Sequence, residues 1–307
     1  MVGIAYLLAA WSAVVLIDVL DVAGIRTRLE GVLDMPMVWW HLFREGSPTE
    51  LLQWTLLGST GLVASYHAGW LAVSRRGPAP LVRERRFLML VSVAMVLMLI
   101  EDAGNPSHRV AGIVMGLLGD DSYLVEVAAR LPVFILVGAV PLYAFVRYWP
   151  SVGFRRPGGG LLLGGFVAYG VATFSSLPAN MLFDYYPRMG RFVMDRLFAG
   201  RMIPIERTLD WQLRFTAEEF TGTLFMDFAY EESIELFGAA LLLSGAIALS
   251  GHLARKPTHE ASDVCGTRGM ETYRSHMPSL DEDCRSKSRR QWQLLPTSLP
   301  EIATWAL

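Results

Sequence analysis

Five acidic residues lie inside or directly beside long apolar stretches, where ionisable side chains are rare and mark function by default: Glu101, Asp102, Glu231, Glu232 and Glu235. Glu235 follows Glu231 by four positions and Glu232 by three, so a helix would place all three carboxylates on one side. Like charges at this spacing repel, and a low-dielectric environment strengthens the repulsion. The pattern therefore predicts a carboxylate cluster that needs a compensating cation, arginine or proton.

The sequence leaves the identity of the compensating group open. A divalent cation is one alternative, because calcium and magnesium accept shells of carboxylate oxygens, and His108 would shift the preference towards a transition metal. Arginine is another, since Arg109 is close in sequence to the first two acids and Arg130 lies four residues after Glu126. Protons shared among the acids, suited to a relay, are the third. Pairing with arginine would leave the acids a structural role alone.

A polar stripe accompanies the acids on a neighbouring segment. Gln53, Thr60 and His67 recur every seven residues and would therefore share one face of a helix. Hydrogen bonding between helices is the ordinary role of such a stripe in a membrane bundle, at about 0.6 kcal/mol per contact. A hydrophilic path lined by these groups is the alternative. His67 is predicted to be a hydrogen-bonded residue and not a metal ligand.

The composition indicates what kind of element must position these groups. Of 307 residues, 52% are hydrophobic and 18% charged, whereas soluble domains carry about 25% charged residues. A helix that crosses a membrane needs about 20 mostly apolar residues, and six stretches qualify: Val2–Leu20, Leu51–Ser74, Phe87–Ala103, Leu124–Val146, Leu161–Phe183 and one near Phe228–Ser250. Residues 1–251 are therefore predicted to form an all-α, polytopic bundle of about six transmembrane helices. The first stretch lacks a preceding basic segment, so we expect a retained helix instead of a signal peptide.

The arginines predict an orientation, because short cytoplasmic loops retain positive charge. Five arginines follow the second stretch within twelve residues, whereas the connector Gly104–Tyr123 contains only Arg109. Alternation along six helices then places both termini in the cytoplasm and the acids in the outer half of a cell membrane. The lipid bilayer is the expected partner. The net charge of -2 argues against nucleic acid, and protein partners are left open.

Helix-start signals occur in each of the connectors predicted to lie outside, which are 21–49, 104–122 and 184–222. Ser47–Glu50 and Thr216–Glu219 have the spacing of capping boxes. Asn105 before Pro106 predicts a further short helix that closes near Gly119. From the second capping box, helical character is predicted to run unbroken to Ser250.

Two further patterns concern packing. In Arg188–Ala199 the apolar residues fall on one face, which indicates either an amphipathic helix at the membrane interface or a surface helix packed on its own protein. Gly160 and Gly164 form a small-xxx-small pair, which we assign to close helix packing. Residues 252–307 are polar and lack helical periodicity, so they are predicted to form a disordered cytoplasmic tail.

The acidic segments carry a resemblance. The run Arg44–Gln53, the pair Glu101-Asp102 and the run Glu231–Glu235 resemble an uncharacterised group of bacterial multi-pass membrane proteins. In that group an acidic-Gly turn precedes a Glu that opens a spanning helix, and a later span carries paired acids. The resemblance implies a polytopic helical fold and implies no activity.

Three functions fit these patterns. The leading expectation is a membrane protein without enzymatic activity, an accessory or transport-type component with an outer-leaflet carboxylate site. An intramembrane enzyme that acts on a lipid or quinone, with a metal held by the five acids, is the alternative from another class. A structural subunit of a membrane complex is the third. The cofactor is left open, with a divalent cation as one possibility.

Overall fold

The structure is a computed structural model that describes residues 2–29, 32–33, 37–74, 79–120, 122–153, 156–176, 184–196, 198, 203–205 and 215–255. These residues are helical with no strand among them, as predicted. Contacts divide the chain into one unit, Val2–Leu253, and a second formed by Met1 with Ala254–Leu307. The description below concerns the first unit. The predicted tail lies outside the described residues from 256 onward.

The α-helices of the described residues are numbered in chain order: α1 Val2–Ala13, α2 Ile25–Leu29, α3 Val38–Phe43, α4 Pro48–Ser74, α5 Ala79–Gly104, α6 Pro106–Leu118, α7 Tyr123–Val152, α8 Gly159–Phe174, α9 Tyr185–Arg196, α10 Ala217–Phe225 and α11 Glu232–Arg255. Two π-helical segments extend this set, Val14–Val19 after α1 and Met226–Glu231 between α10 and α11. The last helical run is therefore continuous, as predicted, but it widens in its middle and continues to Arg255.

Four helical runs are long and apolar enough to cross a membrane: Val2–Val19, Val82–Gly104, Leu124–Pro150 and Ala217–Ala254. They coincide with four of the six predicted stretches. Helix α5 begins earlier than predicted, so several of the arginines assigned to the preceding loop belong to its first turns. The coarse prediction of a helical protein with membrane-spanning character therefore agrees with the structure.

The two remaining stretches form helices of a different character. Helix α4 has 27 residues, but glycines, hydroxyl residues and His67 lower its mean hydropathy, and it is not one of the four. Helix α8 has 16 residues, Gly159–Phe174, and residues 175–176 continue it in π-helical form. The rest of the predicted stretch, up to Phe183, lies outside the described residues.

Two of the three predicted helix-start signals form capping hydrogen bonds, and the third does not. Thr216 and Glu219 form the reciprocal capping box, with bonds of 2.9 and 3.1 Å. At the start of α4, Ser47 Oγ accepts from the Glu50 N–H at 3.4 Å, and the Glu50 carboxylate accepts from the Gly46 N–H. Asn105 precedes α6 but makes no side-chain cap, because its backbone is left-handed, with φ 49°.

Close glycine contacts hold α8 against α11. A Cβ atom added at Gly165 would lie 2.5 Å from Leu242 Cγ and 2.8 Å from Gly238 O. Near the other end of α8, a Cβ at Gly245 would lie 2.7 Å from Leu162 N. The small residues of α8 therefore mediate packing as predicted. The tightest of these contacts is at Gly165, whereas a Cβ at the neighbouring Gly164 would make an ordinary 3.5 Å contact.

Helix α9 packs on its own protein. Its buried residues are Tyr186, Gly190, Val193 and Met194, spaced four, three and one apart along one face. Gly190 lies directly on Gly222, where an added Cβ would come within 2.3 Å of the Gly222 carbonyl carbon. The predicted face was partly wrong, because Phe192 is exposed. Of the two interpretations of this helix, the contacts favour a helix packed on α10.

Candidate functional site

A cavity of about 1620 Å³ lies among α5, α7, α8, α10 and α11. Its described lining contains ten acidic residues: Glu45, Glu50, Glu101, Asp102, Glu126, Asp184, Asp227, Glu231, Glu232 and Glu235. Arg130 is the single arginine or lysine among the described lining residues. All five residues of the predicted carboxylate cluster therefore face one space.

The two predicted groups of acids meet at the side chain of Gln53. Its Nε2 donates to Asp102 Oδ2 at 2.6 Å and to Glu235 Oε2 at 2.8 Å. Gln53 is fully buried. Helix α4 thus inserts an amide between the end of α5 and the start of α11. Sequence reasoning assigned Gln53 to a separate stripe and did not foresee that it joins the two groups.

Four oxygens around this junction are buried without a hydrogen-bond partner among the described residues: Gln53 Oε1, Glu101 Oε2, Glu232 Oε2 and the hydroxyl of Tyr169, which also lines the cavity. The first three are acceptors if the carboxyl groups are ionised, whereas the hydroxyl can donate one hydrogen bond. A buried polar atom without a partner costs about 1–3 kcal/mol, so such atoms need an explanation by strain, function or a missing ligand. One donor does not satisfy three acceptors, so the remaining demand is for donors or positive charge.

Glu231 has a partner that the sequence did not reveal. Tyr186, buried on α9, donates its hydroxyl to Glu231 Oε2 at 2.6 Å. Burial, and after it the adjacent Glu231 carboxylate, raise the pKa of the Tyr186 hydroxyl well above its ordinary value. The hydroxyl therefore remains protonated and acts as a donor. Only the buried face of α9, which the hydrophobic pattern outlined imperfectly, could have indicated this contact.

The π-helical segments each carry acids, with different consequences. In the first, Asp18 is fully buried and accepts the N–H groups of Val38 and Trp39, both at 2.8 Å. Asp18 thereby caps the start of α3 and has a structural role. In the second, Asp227 and Glu231 line the cavity. Such segments occur frequently at functional sites, because the wider turn redirects side chains.

The predicted cationic partners behave differently from one another. Arg130 lines the cavity and pairs with Glu126 on its own helix, 3.4 Å from Nη1 to Oε1. Arg109 is exposed and is not among the lining residues. Within the described part of the chain, no ion pair joins an arginine to any of the five predicted acids. The arginine pairing considered from sequence is therefore not present there.

His108 lines the cavity close to Arg130. Desolvation, and after it the positive charge of Arg130, lower the pKa of the His108 imidazole. The ring is therefore neutral at physiological pH and does not compensate the acids by carrying charge. Among the described residues no group of three or more His, Cys, Asp and Glu side chains is arranged to hold a metal ion.

The remainder of the polar stripe does not reach the cavity. Thr60 is buried and donates to the carbonyl of Leu56 in its own helix, at 2.7 Å. His67 lies edge-on to the rings of Tyr66 and Trp70. Neither Thr60 nor His67 is among the described lining residues. Gln53 does not line the cavity either, but its amide is hydrogen-bonded to the lining acids Asp102 and Glu235, so of the three stripe residues it alone contacts the site.

The chain was compared with known proteins at three levels. It matches no family model, no curated protein and no solved structure. The argument about function therefore rests on the geometry of the cavity.

Proposed function

We propose that this chain is a multi-pass protein of the cell membrane with six transmembrane helices and both termini in the cytoplasm. In this topology α4 and α8 complete a bundle with the four apolar runs. The acidic cavity then lies in the outer half of the membrane. The concentration of arginines before α5 and in its first turns, and their scarcity in the connector that contains α6, support this orientation.

The proposed activity is that of a transport-type component that binds a cation in the carboxylate-lined cavity. The observation that carries the proposal is the junction at Gln53, where acids of α5 and α11 share a neutral amide and no arginine. A cavity lined by one sign of charge, with low-dielectric walls, concentrates counter-ions. Arg130, the single arginine among the described lining residues, is already paired with Glu126. A bound cation would supply the charge that the protein does not.

The orientation can be tested by cysteine labelling from outside the cell. Cys265 and Cys284 would first be replaced by serine. Asp120 follows α6 and Arg83 lies in the first turns of α5, and both side chains are exposed. A membrane-impermeant maleimide should modify Asp120→Cys and spare Arg83→Cys. The reverse pattern would overturn the orientation.

Cation binding can be tested with tetramethylammonium, which carries one charge and has neither a hydrogen-bond donor nor an apolar tail. Equilibrium dialysis of the purified protein in nanodiscs should show binding. The variant Glu235→Gln should weaken it by about tenfold, because one of the charges nearest the junction is lost. Glu218→Gln is the matched control, since Glu218 is exposed and does not line the cavity.

Two results would contradict the proposal. Binding that is unaffected by Glu235→Gln would place the cation elsewhere. If Glu235→Gln and Glu218→Gln weaken binding equally, the loss would be explained by the change in net charge alone and not by a site at Glu235. If binding depends on Glu235, flux of the same ion into proteoliposomes would then test the transport step.

A further inference from the structure

The cavity has two chemically different parts. The first contains the acids at the end of α5 and the start of α11. The second lies between α7 and α8, and its lining there is apolar: Val137, Pro141 and Phe145 from α7, with Leu163, Phe166 and Gly170 from α8. A site for an inorganic cation needs only the first part. The second part therefore requires its own explanation.

The apolar part has the length of a hydrocarbon tail. The apolar lining residues of α7 continue from Phe134 to Phe145, a rise of about 17 Å at about 1.5 Å per residue. This exceeds half of a hydrocarbon core of about 30 Å. Glycine makes room on both walls, because an added Cβ at Gly138 or at Gly170 would meet nothing within 4 Å. The space is thus long and wide enough for a single chain.

The acidic part determines the charge of the other end of the ligand. Glu101 and Glu232 line this part, and the Oε2 atom of each is buried without a hydrogen-bond partner in the described part of the chain. The hydroxyl of the lining residue Tyr169 is also buried without a partner and can donate to one acceptor. A donor or a positive charge from the ligand would satisfy the carboxylate oxygens that remain. A phosphate group would be repelled by the surrounding carboxylates, and the lining Arg130 is already paired with Glu126.

We infer that the ligand is a cationic amphiphile with one ammonium-type head and one hydrocarbon or aromatic tail. The head lies among the acids next to Gln53, and the tail lies between α7 and α8. This inference rests on the proposed cation binding and names the class of molecule that binds. The ring of Phe228, which lines the cavity and follows Asp227 in the same π-helical segment, adds a favourable contact for an organic cation.

The test uses a fluorescent probe with a dansyl group at one end of a dodecyl chain and trimethylammonium at the other. Energy transfer from the protein's tryptophans to dansyl, in nanodiscs that contain the full chain, reports binding. Unlabelled dodecyltrimethylammonium should displace the probe. Probes with the same chain and a hydroxyl or carboxylate head should bind at least about tenfold more weakly, because they lose the charge attraction.

Variants separate the tail from the head. Gly138→Leu and Gly170→Leu fill opposite walls of the apolar part, and each should weaken the amphiphile by about tenfold, equivalent to about two buried methylene groups. Tetramethylammonium binding should stay unchanged in both. Gly69→Leu is the matched control, because a Cβ there also meets nothing within 4 Å but Gly69 does not line the cavity.

Each outcome decides the inference. It is supported if both leucine variants weaken the amphiphile alone and Glu235→Gln weakens both ligands. It is overturned, with the proposed cation binding intact, if both leucine variants bind the amphiphile as Gly69→Leu does. Equal binding of the probes with the three head groups also overturns it, because it would show that the probes only partition into the lipid of the nanodisc. Failure of tetramethylammonium to bind contradicts the proposed function itself.

Discussion

The carboxylates at the two ends of the helix bundle have different partners, an arginine at one end and a neutral amide at the other. At the arginine-rich end, Glu84 of α5 is 1% exposed and pairs with Arg156, 3.0 Å from Oε1 to Nη2. Arg156 also lies 3.3 Å from His252 of α11. At the acidic end, Asp102 of the same helix α5 meets Glu235 through a neutral amide, beside a large cavity.

The two ends of α5 therefore have different roles: the end with Glu84 stabilises the packing of the helices, and the end with Asp102 belongs to the candidate site. Around Glu84 the helices close on apolar residues, and Phe87, Val152 and Leu253 are almost completely buried. A carboxylate with a charged partner in such a setting holds helices together. Around Asp102 no comparable partner is present among the described residues, and the helices leave space. The acidic end is therefore the part of the molecule organised to receive something.

The largest expected effect concerns the closed end. Arg156→Ala should lower the free energy of unfolding by about 3 kcal/mol, because the ion pair between Arg156 and the buried Glu84 carboxylate is broken. Thermal unfolding in nanodiscs would measure the change. The double variant Glu84→Gln/Arg156→Met should regain most of the loss. If Arg156→Ala unfolds like the unmodified protein, the two ends do not differ in the way described.

A smaller effect compares helix packing at the two ends. Gly245→Ala should destabilise the protein by about 1–3 kcal/mol, since the new methyl group would lie 2.7 Å from Leu162 N. Gly170→Ala, at the cavity, should change the midpoint of thermal unfolding little, because nothing lies within 4 Å of its added Cβ. Equal sensitivity of the two glycines would contradict a packed end and an open end.

The smallest effect refines the acidic end. Tyr186→Phe removes the hydroxyl that donates to Glu231 and should cost about 1 kcal/mol of stability. Tyr143→Phe is a control, because Tyr143 is exposed and not in the cavity. The same thermal assay applies. No difference between the two variants would show that the Glu231 carboxylate does not depend on Tyr186.

Local signals in the sequence predicted much of the fold. Apolar length predicted the four runs that are long and apolar enough to cross a membrane, and the capping box at Thr216 begins α10 where expected. Asn105 marked the start of α6 correctly, although its left-handed backbone prevents the predicted cap.

The sequence predicted the five acidic residues of the cluster, but not the hydrogen bonds that connect them to other helices. The cost of placing charge in lipid was sufficient reason to expect that the acids of α5 and α11 face inward. The sequence did not predict the hydrogen bonds from Gln53 to these acids or from Tyr186 to Glu231. These bonds depend on how separate helices pack together, which the spacing of residues along one helix does not determine. The ion pair between Arg156 and Glu84 was not predicted for the same reason, since the two residues lie 72 positions apart in the sequence.

The most direct test of the central claim is the accessibility of the carboxylates at the two ends. The protein in nanodiscs would be treated with a water-soluble carbodiimide and glycine methyl ester, and the modified residues identified by mass spectrometry. We predict modification of Asp102, Glu232 and Glu235 with Glu84 spared, and protection of the three cavity residues by tetramethylammonium. Modification of Glu84 to the same extent, or labelling of the cavity acids that the cation does not reduce, would contradict the account.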